Sequence, residues 1–188
     1  MTLRFLLRFV PSDPDRAKSL RVVRGVAASV GPRAVNPKWT SYGALEVDVF
    51  ADAKADFLTF VAAMEPLVRV EFAKDLQEAW THQSKEASVA EAVSLFNAER
   101  FWEAHEVLEA LWRVAVGEEK TLLQGLILVC AAFVHVQKGE HEVALGVATR
   151  SIPKLAWKER AYKDIAVAAV RETVMRMVDG GALSLFKI

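Results

Sequence analysis

With 188 residues, 53% of them apolar, the chain is long enough for one large hydrophobic core or two small ones, and its 24 basic residues balance its 24 acidic ones. Zero net charge removes the basic excess on which binding to nucleic acid or an anionic membrane rests. The single cysteine, Cys130, excludes an internal disulfide and, inside an apolar run, reads as a buried small hydrophobe of a reducing, cytoplasmic compartment.

The opening MTLRFLLRFVPSD sets arginines inside its apolar stretch and lacks a small-residue cleavage site, so no signal peptide is expected. Residues 126–134 form the longest apolar run, far short of the roughly 20 that a bilayer span needs. No membrane partner is expected.

Residues 3–10 alternate, with Phe5, Leu7 and Phe9 on one face and Arg4, Leu6 and Arg8 on the other, which is a half-buried strand. Asp13 is expected to cap a helix whose stripe is Leu20, Val23, Ala27 and Val30, stopped at Gly31-Pro32. Residues 35–39 and 44–50 read as two strands around a Ser41-Tyr42-Gly43 turn, Pro37 marking the first as an edge strand. Asp52 is the expected cap of a second helix, with Phe57, Phe60, Val61 and Met64 buried, before Pro66 and a strand over residues 68–72.

That order, βαββαβ, closes most economically as a ferredoxin-like module over residues 1–73: a four-stranded antiparallel sheet with two helices on one face. The other face is expected to carry Arg4 and Arg8 beside Glu46 and Asp48, with Arg69 and Glu71 at the flank, the charges pairing across strands. No aromatic residue is expected there for stacking bases, so RNA is not an expected partner. Residues 1–38 do hold eight basic against two acidic residues, read as a solvated charged face.

From about residue 73 the pattern becomes all helix, and residues 74–188 form a helical bundle, making the protein α+β. Ser88-x-x-Glu91 reads as a capping box opening residues 89–96, and residues 97–99 as a turn into a helix over 100–114. Gly117 separates this from a helix over 121–137, apolar nearly all round and therefore central, with Gly139 as its stop. Residues 140–152 form another helix ended at Pro153, residues 158–178 a last long one closed by Gly180-Gly181, and residues 182–188 a tail expected to pack.

The segment FWEAHEVLEALWR sets His105, Glu109 and Trp112 along one edge of an otherwise apolar helix, since Glu109 is about 40° and Trp112 about 20° from His105 around the axis, with Glu106 nearly a quarter turn away. If helices 100–114 and 121–137 run antiparallel, Trp112 faces Gln124, Glu109 faces Leu128, and His105 lies toward Ala131 and His135. Gln124 and His135 share a face but are about 16 Å apart along it, too far to hold one ion. Two readings remain open beside an organic-ligand pocket. In the first, the groups satisfy one another, Glu109 pairing with Arg113 and the Trp112 N–H with Gln124, as a buried network in a non-catalytic binding or assembly protein with a protein partner or second copy. In the second, His105, Glu109 and His135 hold a divalent metal and Glu106 is the general base of a hydrolase. His82 and His141 read as surface histidines, and neither a Ser/His/Asp arrangement nor a glycine-rich phosphate loop can be assembled.

FNAERFWEAHEVLEALWR followed by LLQGLILVCAAFVHVQKGEHEVALGVA resembles the domain-of-unknown-function family 309 over about residues 87–155. The resemblance implies a small all-helical fold and places the family's polar positions on His105, Glu106, Glu109, Trp112, Gln124 and His135. Ala98 departs from the glycine or polar residue expected in the turn. No activity is implied, and residues 1–73 lie outside the resemblance.

Overall fold

The computed structural model describes residues 2–76, 84–159 and 161–188. The chain divides into two compact units, residues 1–79 and 80–188. In the first, β1 (Leu3–Pro11), α1 (Arg16–Val30), β2 (Arg33–Trp39), β3 (Leu45–Ala51), α2 (Lys54–Met64) and β4 (Val68–Asp75) follow in the expected order, the strands lying antiparallel as β2-β3-β1-β4. Strand β4 runs past residue 73, so the module extends further than its sequence pattern showed. One sheet face meets the helices: Phe5, Leu7 and Phe9 pack with Val23, Ala27, Phe60 and Met64, and Phe5 stacks on Phe57 at 4.1 Å between ring centroids.

Both helix caps in this unit differ from expectation. Asp15, not Asp13, caps α1, its Oδ1 accepting the Ala17 and Lys18 N–H groups at 2.8 and 3.1 Å. Asp13 instead accepts the Asp15 N–H and pairs with Lys18. In α2 the cap position is Ala53, whose N–H goes to the Asp56 carboxylate at 3.1 Å, so Asp52 stays outside the helix.

The second sheet face carries the expected cross-strand ion pairs, but they are buried rather than solvated. Glu46 accepts from Arg8 Nε and Nη2 at 3.2 and 2.9 Å on one side and pairs with Lys38 Nζ at 2.8 Å on the other. Asp48 binds Arg4 at 3.0 Å and the Asn36 amide at 2.8 Å. Arg8, Lys38, Glu46 and Asp48 are each 2 or 3% exposed. Lys38 reaches this face because β2 bulges between Val35 and Lys38, at Asn36 with φ 52°, which brings Lys38 opposite Glu46. The expectation that the face lacks aromatics is overturned, since the register places Phe50 opposite Arg4 and Phe72 opposite Arg8. Both rings carry the chain's own guanidinium groups: Arg4 and Arg33 lie 5.9 and 5.2 Å from the Phe50 centroid, and Arg8 lies 5.2 Å from that of Phe72.

The second unit comprises α3 (Lys85–Asn97), α4 (Phe101–Val114), α5 (Gly117–Lys138), α6 (His141–Ser151), a 3-10 turn (Ile152–Leu155) and α7 (Val167–Asp179). As expected, α5 is central: it packs against α4, α6 and the 3-10 turn. At 22 residues it is long and apolar enough to cross a membrane by length and composition, longer than the run over residues 126–134 suggested, and half of it is buried in the unit. Phe133 of α5 meets Phe96, Phe101 and Phe186 at centroid distances of 5.7, 5.2 and 5.6 Å. Phe186 belongs to the tail, which packs as expected and ties Ile188 to both polar atoms of the Asn97 amide at 3.0 Å. Burial pushes the Cys130 thiol up to about 12.

Two helix starts in this unit are corrected. Ser84 caps α3 through its hydroxyl and the Ala87 N–H, and Ser88, the expected cap, lies inside the helix with its N–H bonded to Ser84. The last helix begins at Val167 rather than near residue 158. Tyr162 and Ile165 exchange two backbone hydrogen bonds of 2.9 Å instead, and both are buried. Core burial of those side chains outweighs the helical pattern read around them.

At Gly125 of α5 an added Cβ would lie 3.0 Å from Leu155 Cδ2 and 3.1 Å from the Lys154 carbonyl carbon. Alanine there improves helix propensity by about 1 kcal/mol, but overpacking costs about 1–3 kcal/mol. Gly125→Ala is therefore expected to lower stability by about 1 kcal/mol; an equal or higher urea midpoint would refute this.

Glu119 at the start of α5 accepts from Lys85 Nζ at 2.8 and 3.0 Å and from Tyr162 Oη at 2.7 Å. The Lys85 ammonium, then the Tyr162 hydroxyl, hold its carboxyl below the ordinary 4.5. Burial, then the bond to Glu119, hold the Tyr162 phenol above its ordinary 10.0. The Glu119 contribution to stability is thus full above pH 4.5 and lost as pH falls through the lowered value, while that of Tyr162 is full below pH 10.0 and lost as pH rises through the raised one. Glu119→Gln should flatten the acid limb of unfolding midpoint against pH, and an acid limb as steep as that of the unaltered chain would contradict the assignment.

Candidate functional site

Helix α4 buries Phe101, Ala104, Val107 and Leu108 and turns Trp102, His105, Glu106, Glu109 and Trp112 to its half-buried edge. The 3.6-residue period alone produces that division. His105 stacks on Trp102 one turn earlier, ring centroids 5.5 Å apart and planes within 5°. Its Nδ1 is shut off from solvent, has no hydrogen-bond partner, and lies 3.4 Å from Glu106 Oε1. One donor atom each of His105, Glu106 and Glu109 lies within 4.8 Å of the other two. Donors sharing a metal at about 2.1 Å sit roughly 3–3.5 Å apart, so the two glutamate side chains would have to turn inward to close the group. An imidazole nitrogen with two carboxylate oxygens suits zinc, iron or manganese.

The remaining expected site residues divide. Arg113 donates to Glu109 at 3.0 Å, the pair read from the i,i+4 spacing. Trp112 does not use Gln124; its ring lies 4.6 Å from the Lys120 ammonium, and the Gln124 carbonyl oxygen accepts from Lys154 Nζ at 2.9 Å. His135 does not join the group, lying beyond the 4.8 Å that gathers the other three donors, and its Nδ1 is turned to Glu140 at 2.5 Å, just past the end of its helix. That bond holds the Glu140 carboxyl below its ordinary range. His141 is exposed, as expected, and His82 lies outside the described residues. The cluster is half-buried, with Glu109 31% exposed, where a buried network was expected.

The sequence reading missed two contributors. Trp102 supports the His105 ring, and its i−3 spacing was the available signal. Glu103, 1% exposed, is held by Arg100 through two bonds of 2.6 Å, so the buried carboxylate of α4 is not one of the two in the cluster.

Residues 89–147, which contain the whole cluster, match DUF309, a domain of unknown function. The crystal structure of a conserved hypothetical protein from Thermus thermophilus is 30% identical, with the match covering 48% of this chain and 94% of that one at a TM-score of 0.42. No curated protein matches the chain.

Proposed function

Through its helical unit the chain belongs to the DUF309 family, and from that premise we propose that it is a non-catalytic binding protein whose α4 edge holds a divalent cation between His105, Glu106 and Glu109. The observation that carries this reading is a convergent imidazole and two carboxylates whose histidine Nδ1 is shielded yet makes no hydrogen bond, the Glu106 carboxylate standing 3.4 Å away. A buried acceptor or donor without a partner costs about 1–3 kcal/mol, which a bound cation would recover. Three protein donors leave coordination positions open for an oxygen donor of a ligand or partner protein.

Hydrolysis is less well supported by the same geometry. With His135 outside the group, Glu106 is needed as a ligand, and a carboxylate bound to the ion is not available as the general base. The test is calorimetric titration of chelator-treated protein with zinc, manganese and iron(II). One equivalent should bind, His105→Ala should weaken that binding by about 100-fold, and His135→Ala should preserve it. No binding at millimolar metal would dismiss the proposal.

A further inference from the structure

A second feature of the helical unit is a cleft of about 760 Å³ between the segment that follows the 3-10 turn and helix α7. Leu155 and Trp157 line one wall, and Ala168, Arg171, Met175 and Arg176 the other. We infer that this cleft binds a small organic anion: a flat apolar body carrying a carboxylate or phosphate ester. Its size falls in the range of about 300–1,000 Å³ usual for small-molecule sites.

The aromatic wall is rigid. The Trp157 indole N–H donates to the Ala161 carbonyl at 3.3 Å, and its ring stands edge-on to Tyr162, 5.8 Å between centroids and 85° between planes. Tyr162 is itself a core residue, so the indole rests on the buried part of the unit. On α7 the cleft residues flank the helix's buried stripe of Val167, Val170 and Val174, which fixes the direction in which they project.

The cationic wall is unspent. Arg171 Nε donates to the Ile152 carbonyl at 3.3 Å, which anchors the guanidinium while leaving its two terminal amino groups. Arg176 donates to the Thr173 hydroxyl at 3.3 Å. Among the described residues neither arginine has a carboxylate partner, although Glu172 and Asp179 line the same cleft. A guanidinium anchored through Nε and lacking an ion pair presents the planar fork that carboxylates and phosphates accept in bidentate fashion. Lys158 at the rim is paired with Glu118, so the charge open to a ligand is that of the two arginines.

The test is a titration of the full-length, nitrogen-15-labelled chain with naphthalene-2-carboxylate, 2-naphthyl phosphate and the uncharged naphthalene-2-carboxamide, read by amide and indole shifts. The anions should move the Trp157 indole N–H and the α7 amides with sub-millimolar affinity, and the tighter of the two identifies the head group. Arg171→Gln should weaken anion binding at least tenfold without changing that of the carboxamide, and Arg171→Lys, which keeps the charge but loses the fork, should weaken it too. Arg176→Gln provides the same comparison if the Arg171 variants do not fold. Equal affinity for the carboxamide, unchanged anion affinity in the arginine variants, or no shift at millimolar anion overturns the proposal.

Discussion

Glu46→Gln is expected to destabilise the first unit by about 3–5 kcal/mol, because it strips the shared carboxylate from two buried cations. Arg8 and Lys38 approach Glu46 from opposite neighbouring strands, at 2.9 and 2.8 Å, and all three side chains are 3% exposed. With the charge gone, Lys38 has Asp48 4.0 Å away, already bound to Arg4 and Asn36, and the contacts left to Arg8 include the Tyr42 hydroxyl at 3.4 Å. Neither replaces a full ion pair in a site this dry. Replacing Arg8, Lys38 and Glu46 together by apolar residues of similar volume should be far milder, since the desolvation cost of the charges disappears with them. Amide exchange in β1 and β3 measures this locally. A loss below about 1 kcal/mol in Glu46→Gln would mean that water reaches the triad.

The second large effect is expected at α4. Deleting one of three ligands should weaken cation binding by about 100-fold, or about 2.7 kcal/mol, and Glu106→Gln and Glu109→Gln should do so as well as His105→Ala. At a metal concentration about 100 times Kd the unaltered protein gains about 2.7 kcal/mol, which for a chain of this size raises Tm by roughly 5–10 °C. In the absence of metal the same substitutions should cost little. Glu109 is 31% exposed and its Arg113 partner 67%, and an exposed i,i+4 pair contributes only about 0.3–0.5 kcal/mol. A buried network would behave oppositely, losing stability without metal, so the two readings separate on one pair of melting curves. A chelator-insensitive Tm in protein loaded with one equivalent would count against the site.

Where a feature depended on residues close in sequence, it was legible. The alternation of Phe5, Leu7 and Phe9, the edge role given by Pro37, the Glu109–Arg113 pair and the stop at Gly139 each follow from one or two turns of chain or from one backbone constraint. The cross-strand pairing of Arg8 with Glu46 was also legible, because βαββαβ order and period-two patterning fix which residues meet. Its burial was not, since the bulge at Asn36 that delivers Lys38 has no signature in the hydrophobic pattern. The caps shifted by one to four residues for a related reason: Asp13 and Asp15, or Ser84 and Ser88, are equal candidates by composition, and only the path of the entering chain selects between them.

The site divides along the same line. By itself the sequence determined that His105 and Glu109 share one edge of a helix, with Glu106 about a quarter turn away, because the 3.6-residue period fixes their directions. It also determined the α+β class and the central place of the apolar α5. Only the tertiary structure decided that His135 turns to Glu140, that Gln124 serves Lys154 rather than Trp112, and that Tyr162 and Ile165 pull the chain out of a helix before α7. These choices are competitions between partners of similar chemistry. Their outcome rests on differences of a few ångströms and about 1 kcal/mol, which are set by how whole helices pack and are absent from any local pattern.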